Sequence, residues 1–201
     1  MTDKSTLRMV LPLSQLPAFF PLLQRGIWMQ AQVGCGVMSL LTKQFGIDED
    51  YIVERITTLF LDGRPVDDLE TSYVKDGSTL ALSAAMPGLV GATMRRGGHL
   101  AAMRGSISCP SQKLERGGTG RVRIKLFNMV MTELGAIFLA QGVCLSNADF
   151  SEFLSEQEDG FWQSFGVAIL GDQQIEPVQL KKQFSQADTT GELLVTVEFK
   201  D

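Results

Sequence analysis

Residues 27–46 constrain the fold more than any other segment, because a strand pattern there is followed directly by a helix pattern. Residues 27–33 alternate apolar and polar side chains with a period of two, which is typical of a half-buried strand. Apolar side chains then recur over residues 37–45 at the spacing of one helix face. Gly46 follows at the position where helices commonly end. The segment therefore predicts a strand that passes through a short turn into a helix, as in an α+β protein.

Two further strands are predicted where short apolar segments meet tight-turn signals. Residues 56–61 fit a strand and lead into Asp62-Gly63, a dipeptide that favours a tight hairpin turn. A second turn at Asp76-Gly77 leads into residues 78–84, in which apolar residues alternate again. Residues 7–13 form a short apolar stretch near the start, and we expect a strand there. The predicted order is strand, strand, helix, strand, turn and strand.

Three pieces of this half resemble the small subunit of molybdopterin synthase and the thiamine sulfur carrier, which belong to the β-grasp (ubiquitin-like) superfamily. They are the helix at residues 37–47, the strand and turn at residues 59–66, and the return strand at residues 74–82. The second piece reads LFLDGRPV and the third reads VKDGSTLAL. The resemblance covers residues 7–91 and implies an N-terminal β-grasp fold, in which a hairpin, a crossing helix and a return to the sheet form a mixed sheet.

The chain departs from these sulfur carriers after the return strand. In that family the last strand runs into a C-terminal diglycine, whose carboxylate is adenylated and thiocarboxylated. Here a diglycine occurs at Gly97-Gly98, but it is internal and has no free carboxylate to activate. The resemblance therefore implies a sulfur-carrier role in cofactor biosynthesis only if the chain is cleaved after Gly98.

Basic residues are concentrated in the middle of the chain, between two acidic parts. Residues 95–125 contain eight basic residues and one acidic residue, whereas residues 126–201 contain three basic and twelve acidic ones. We predict a β-grasp-like domain at residues 1–91, a basic glycine-rich connection at 92–121 and an α+β domain of unknown type at 122–201. The sequence leaves open whether the last part is a separate domain or extends the first sheet.

The last part of the chain also mixes helix and strand patterns. Strands are predicted at residues 122–127, 165–170 and 193–199, and helices at residues 128–141 and 147–156. Asn147 is a candidate cap for the second of these helices, because Asn side chains satisfy the free amides of a first helical turn. Together with the first half, these patterns predict an α+β fold class for the whole chain.

The basic middle segment supplies the candidate binding residues. Consecutive glycine amides flanked by arginines can hold an anion, although no complete phosphate-binding motif is present. The candidates for binding an anion or a protein partner are Arg95, Arg96, His99, Arg104, Arg116 and Arg121. His99 is the only histidine, and no motif pairs a nucleophile with a base. We therefore predict no catalytic residues, and an enzyme is the least supported class.

Cys35 is the most suggestive thiol, because it lies between two glycines just before a predicted helix. A helix N-terminus can lower the pKa of a thiol and make it nucleophilic, while the alternative is a small side chain that starts the helix. Cys35, Cys109 and Cys144 are odd in number and show no CxxC spacing. This pattern predicts neither a disulfide framework nor a metal site, and we expect no cofactor.

Composition favours a soluble cytoplasmic protein. Hydrophobic residues make up 44% of the chain, but no segment approaches the length needed to span a bilayer, and the start of the chain has no signal-peptide pattern. Residues 95–125 contain no aromatic residue and the pI is near 5.0, which argues against nucleic-acid binding. We therefore favour a non-catalytic ubiquitin-like module that binds a protein partner, with the sulfur-carrier role as the alternative.

Overall fold

The computed structural model describes residues 5–108, 117–186 and 191–200. The chain divides into two compact units. One unit is continuous and contains residues 23–133, while the other combines residues 1–22 with residues 134–201. The first is called the central unit below, and the second is called the terminal unit.

Strands and helices are mixed throughout the described residues, which confirms the α+β fold class. The strands are β1 (Ser5–Pro12), β2 (Ile27–Val33), β3 (Thr58–Leu61), β4 (Arg64–Pro65), β5 (Thr79–Ser83), β6 (Gly118–Phe127), β7 (Val143–Ser146), β8 (Val167–Leu170), β9 (Gln173–Ile175) and β10 (Glu192–Lys200). The α-helices are α1 (Phe20–Arg25), α2 (Val37–Ser39), α3 (Glu49–Glu54), α4 (Gly88–Met94), α5 (Met129–Ala140), α6 (Asn147–Ser155), α7 (Asp159–Gln163) and α8 (Pro177–Gln186). Two 3-10 helices span Leu13–Phe19 and Ala101–Ile107, and a π-helix spans Leu40–Gln44.

The central unit contains a mixed sheet in the order β4-β3-β5-β6-β2. Strands β5 and β6 are parallel, with Leu80 opposite Ile124, and the other pairs are antiparallel. On β6 the side chains of Val122, Ile124 and Leu126 are fully buried. Strand β6 therefore lies between β5 and β2 and contributes an unbroken apolar row to the core of this unit.

The helix predicted over residues 37–45 is present, and its second half winds as a π-helix. The amide of Phe45 donates to the carbonyl of Leu40 at 3.1 Å, which is a step of five residues. Gly46 then adopts a φ of 67°, and the amide of Ile47 donates to the carbonyl of Leu41 at 3.0 Å. This is the usual glycine-terminated helix end, so the predicted stop at Gly46 is confirmed.

The turn predicted at Asp62-Gly63 joins β3 to β4. Asp62 has a φ of 51° and Gly63 a φ of 77°, as the two central residues of a type I′ hairpin turn require. The Asp62 carboxylate accepts hydrogen bonds from the amide of Thr79 at 2.7 Å and from the hydroxyl of Ser78 at 3.1 Å. The turn is therefore tied to the start of β5, its neighbour in the sheet.

The first strand pairs differently from the expectation. Strand β1 covers the predicted stretch, but it pairs in parallel with β10 and antiparallel with β8 in the terminal unit. It does not form a hairpin with β2, whose antiparallel partner in the central unit is β6. The residues of each strand predicted that it is a strand, but they do not specify which strand will be its neighbour.

The terminal unit has the strand order β7-β10-β1-β8-β9 and an aromatic core. The ring centroids of Phe19 and Phe153 lie 4.8 Å apart, and Phe161 packs edge-on against Phe153. The cap of α6 is Ser146 and not Asn147, because the Ser146 hydroxyl accepts from the amide of Asp149 at 3.0 Å. The predicted helix is confirmed, with its cap one residue earlier.

The glycine-rich stretch predicted as a connection contains regular structure where it is described. It includes α4, the 3-10 helix Ala101–Ile107 and the start of β6 at Gly118. The predicted division at residues 91 and 121 stays a prediction, and the central unit includes this whole stretch. The reason is that β6, which follows this stretch, completes the sheet begun by β2, β3 and β5.

Gly36 provides a test of how tightly the turn before α2 packs. A Cβ atom at Gly36 would lie 2.6 Å from the carbonyl oxygen of Glu70, so the backbone segments could not approach as they do. We expect Gly36→Ala to lower the free energy of unfolding by about 1–3 kcal/mol, as overpacking does. Urea unfolding followed by circular dichroism measures this effect.

The matched control is Gly160→Ala in α7, where an added Cβ atom meets no atom within 4 Å. Because alanine favours helix more than glycine, this variant should be neutral or slightly stabilised. Equal stability of the two variants would contradict the close packing at Gly36.

Candidate functional site

Three of the predicted basic residues line one cavity in the central unit. The cavity has a volume of about 600 Å³ and lies between the end of α4 and the 3-10 helix Ala101–Ile107. Arg95, Arg96 and His99 line it together with Gly97 and Gly98, and the described residues around it include no carboxylate. The local chemistry therefore suits an anionic group.

Arg96 also has a structural role beside this cavity. Its guanidinium donates from Nη2 to the carbonyls of Ile52 at 2.9 Å and Val53 at 3.2 Å, near the end of α3. These carbonyls would otherwise lack a partner, as those in a last helical turn do. Burial lowers the pKa of Arg96 from its ordinary value, and the nearby Asp67 carboxylate partly offsets that effect. Arg96 thus connects α4 to α3 as well as lining the cavity.

Arg104 is buried and holds the 3-10 helix to the preceding loop. Its side chain is completely inaccessible, and Nη2 lies 2.5 Å from Oδ1 of Asp67. The same nitrogen donates to the carbonyl of Arg95 at 3.3 Å, while Nε and Nη1 have no hydrogen-bond partner among the described residues. An exposed ligand cannot reach this guanidinium, so Arg104 acts by positioning Arg95.

The remaining basic candidates lie elsewhere. Arg121 is on β6, where its guanidinium carbon lies 5.4 Å from the centre of the Trp28 ring and its amide donates to Asp76 at 2.8 Å. Arg116 falls outside the described residues. Of the five candidates that the structure describes, only Arg95, Arg96 and His99 line this cavity.

Large apolar side chains are exposed on the same two elements, and the sequence-based reasoning missed them. Leu89 and Val90 of α4 are 69% and 66% exposed, and Met103 of the 3-10 helix is 69% exposed. Gly91 lies on the buried side of α4, since a Cβ atom there would collide with the backbone of Met86. In the sequence, the pair Leu89-Val90 next to Gly91 was the available signal for an apolar surface. The sequence alone did not show which side of this helix faces solvent.

Cys35 lies in the turn before α2, apart from the residues that line the cavity. Its Sγ donates to the carbonyl of Gln32 at 3.3 Å and accepts from Nε2 of Gln44 at 3.4 Å. Burial raises the pKa of the Cys35 thiol from its ordinary value, and hydrogen bonds from the Cys35 backbone and the Gln44 side chain offset the effect only in part.

The diglycine is part of a turn that leads into the 3-10 helix. Gly97 has a φ of 60°, the amide of Gly98 donates to the carbonyl of Arg95, and the carbonyl of Gly98 accepts from the amide of Ala101. Strand β6 lies downstream of Gly98 and pairs with both β5 and β2. A chain that ended at Gly98 would have no covalent link to this strand, so no observation favours the sulfur-carrier alternative, which stays a prediction.

Residues 5–108, 117–186 and 191–200 contain neither a membrane-spanning helix nor a cluster of metal ligands. None of the helices there combines the length and apolar character needed to cross a membrane. The same residues contain no group of three or more histidine, cysteine, aspartate or glutamate side chains placed to hold a metal ion.

The raised pKa of Cys35 gives a test by alkylation. Because the thiolate is the reactive form, its fraction at pH 7–9 should be lower than that of an unperturbed cysteine. We expect iodoacetamide to modify Cys35 more slowly in the folded chain than in the same chain in urea. Peptide mass spectrometry distinguishes Cys35 from the other two cysteines, and faster modification in the folded chain would restore the hypothesis of an activated thiol.

The pair formed by Asp67 and Arg104 gives a second test. Asp67→Ala leaves a buried guanidinium without its carboxylate, and we expect a loss of about 1–3 kcal/mol in the free energy of unfolding. Adding Arg104→Met removes the buried charge, so the double variant should recover most of that loss. Thermal unfolding of the single and double variants measures both effects, and simple addition of the two losses would contradict the pairing.

Comparison with known proteins completes the description of the site. No protein-family model matches the chain, and no curated protein or solved structure matches it either. The function of the site must therefore be argued from its own geometry.

Proposed function

We propose that the central unit is a β-grasp-like module whose first strand has moved to its C-terminal end. The support is the order of pairing, because β6 and β2 form the antiparallel pair that a hairpin would supply. Helix α2 follows β2, and β3, β4 and β5 then return to the sheet, with β5 beside β6. In this proposal the chain is a circularly permuted β-grasp, with residues 118–127 taking the place expected for residues 7–13.

We further propose that this module is a non-catalytic protein-binding module. The observation that carries the proposal is the exposure of Leu89, Val90 and Met103 on two short helical elements that pack against each other. Large apolar side chains on such a surface are typical of sites that bind another protein. Burying a leucine or valine side chain of this kind in an interface contributes roughly 1.5–3 kcal/mol.

The chemistry of the neighbouring cavity supports an acidic partner. Arg95 and His99 are exposed beside these apolar residues, and the described lining of the cavity contributes no carboxylate to neutralise them. A partner surface with a hydrophobic centre and acidic residues at its rim would complement both features. The anion-binding residues predicted from the sequence would then act at the rim of the interface.

The test compares two substitutions of exposed apolar residues. Leu89→Asp places a charge in the proposed interface, and Val178→Asp places the same charge on α8 in the terminal unit, where Val178 is 80% exposed. Each tagged full-length variant is expressed in the native cells and recovered with its bound proteins for mass spectrometry. We expect the wild type and Val178→Asp to recover the same partner and Leu89→Asp to lose it by at least about tenfold.

Once the partner is identified, its association rate with the chain measures how much the charges of Arg95 and His99 contribute to binding. Raising the salt concentration and replacing Arg95 by glutamine should each slow association, because rim charges act mainly on the encounter rate. Recovery of the same proteins by all three forms of the chain would contradict a docking surface on α4. Binding that is insensitive to salt would remove the role assigned to Arg95 and His99.

A further inference from the structure

A second concave site lies on the face of the central sheet where β5 runs between β3 and β6. Strand β5 presents Thr79, Ala81 and Ser83 at alternate positions on this face. All three side chains are small. Phe60 on β3 is paired with Ala81, and Phe127 on β6 is paired with Ser83, so large side chains stand on either side. The sequence of small residues therefore makes a groove along β5, walled by the neighbouring strands.

The groove has a definite size and is lined in part by the segment that follows β5. Its volume is about 470 Å³, within the range of ordinary small-molecule sites. Its floor extends over five strand residues, or about 13 Å. Met86 and Pro87, which follow β5, line it with Asn128, whose side-chain amide donates to the hydroxyl of Ser83 at 3.0 Å. The groove can therefore hold one elongated small molecule.

One cation lies in the wall of this mainly apolar groove. Lys125 is paired with Ala81 across the sheet and lines the groove beside Phe127. It forms no ion pair or side-chain hydrogen bond with any of the residues that the structure describes. Its neighbour Arg123 is already engaged, since Nη2 donates to the carbonyl of Arg25 at 2.7 Å. Lys125 is thus the group at this site that can receive an anion.

The backbone at Gly26 leaves room for the side chain of Lys125. Gly26 has a φ of 105°, and a Cβ atom there would lie 2.9 Å from Cγ of Lys125 and 2.7 Å from Nε of Arg123. The absence of a side chain at Gly26 therefore lets the lysine stem lie against the chain just before β2. The stem is held there, while the ammonium keeps its three hydrogen-bond donors.

We propose that this groove binds a free amphipathic carboxylate, with its alkyl or aryl part over Ala81 between Phe60 and Phe127 and its carboxylate at Lys125. The apolar walls recognise the hydrocarbon, since removing it from water is the main source of affinity. The unpaired ammonium recognises the negative charge through a charge-assisted hydrogen bond. Both parts are needed, because an apolar groove alone does not distinguish a carboxylate from an alcohol or a cation.

The probe is decanoate, an extended alkyl carboxylate about as long as the groove, titrated calorimetrically into the full-length chain. Octanoate is two methylenes shorter and should bind about sixteenfold more weakly, because each lost methylene costs about fourfold in affinity. Decyltrimethylammonium, which has the same chain and the opposite charge, should bind more weakly still. The methyl resonance of Ala81 should shift with decanoate, which places the ligand over β5.

Two variants separate the charge from the groove. Lys125→Met keeps an apolar stem without the charge, and it should weaken decanoate binding about tenfold and remove the preference over decyltrimethylammonium. Lys182→Met, on an exposed lysine of α8, is the matched control and should leave binding unchanged. Ala81→Ile fills the groove with a residue that favours strands and should abolish binding of all three probes.

Circular dichroism and thermal unfolding of each variant establish that it is folded before its titration is interpreted. The proposal is overturned if millimolar decanoate gives neither heat nor a shift of the Ala81 methyl resonance. It is equally overturned if Lys125→Met binds decanoate as well as the wild type does. Binding that persists in Ala81→Ile would place the carboxylate elsewhere on the chain and would also refute it.

Discussion

The pairing of β6 with both β5 and β2 is the interaction on which the rest of the central unit depends. One face of β6 buries Val122, Ile124 and Leu126 completely, and the other presents Arg121, Arg123 and Lys125. Because successive strand residues point to opposite faces, the same ten residues supply the centre of the core and the basic row of the sheet surface. A shift of one residue in the register would exchange the two rows, so core packing also fixes where the charges lie.

The sequence predicted well those elements whose backbone geometry is determined by a few neighbouring residues. The turn at Asp62-Gly63 needs two positive φ angles and the helix end at Gly46 needs one, and both requirements can be read from the residues themselves. The pairing of β1 with β10 and the pairing of β6 with β2 have no such local cause. Strands β1 and β6 both carry period-two patterns, and the partner of each is decided by packing against residues far away in the chain.

The same distinction explains what could be predicted of the candidate sites. A cluster of basic residues in the middle of the chain was evident from composition, but their burial was not. Arg104 is buried and paired with Asp67, whereas Arg95 remains exposed at the cavity. The groove over β5 depends on Phe60 and Phe127, which come from two other strands. Small residues at alternate positions of one strand become a binding surface only when their neighbours are known.

The order of the units along the chain has a consequence for synthesis on the ribosome. The central unit is inserted between the two parts of the terminal unit, and β1 is paired with β10 in parallel from Ser5 opposite Leu193 onward. Strand β1 is made before the central unit, yet its parallel partner β10 is made only after that unit. Until then its unpaired edge is open to other chains, which is a hazard for aggregation. The central unit can fold during this time. The nascent protein therefore passes through a stage in which the central unit is folded and β1 is still without its partner β10.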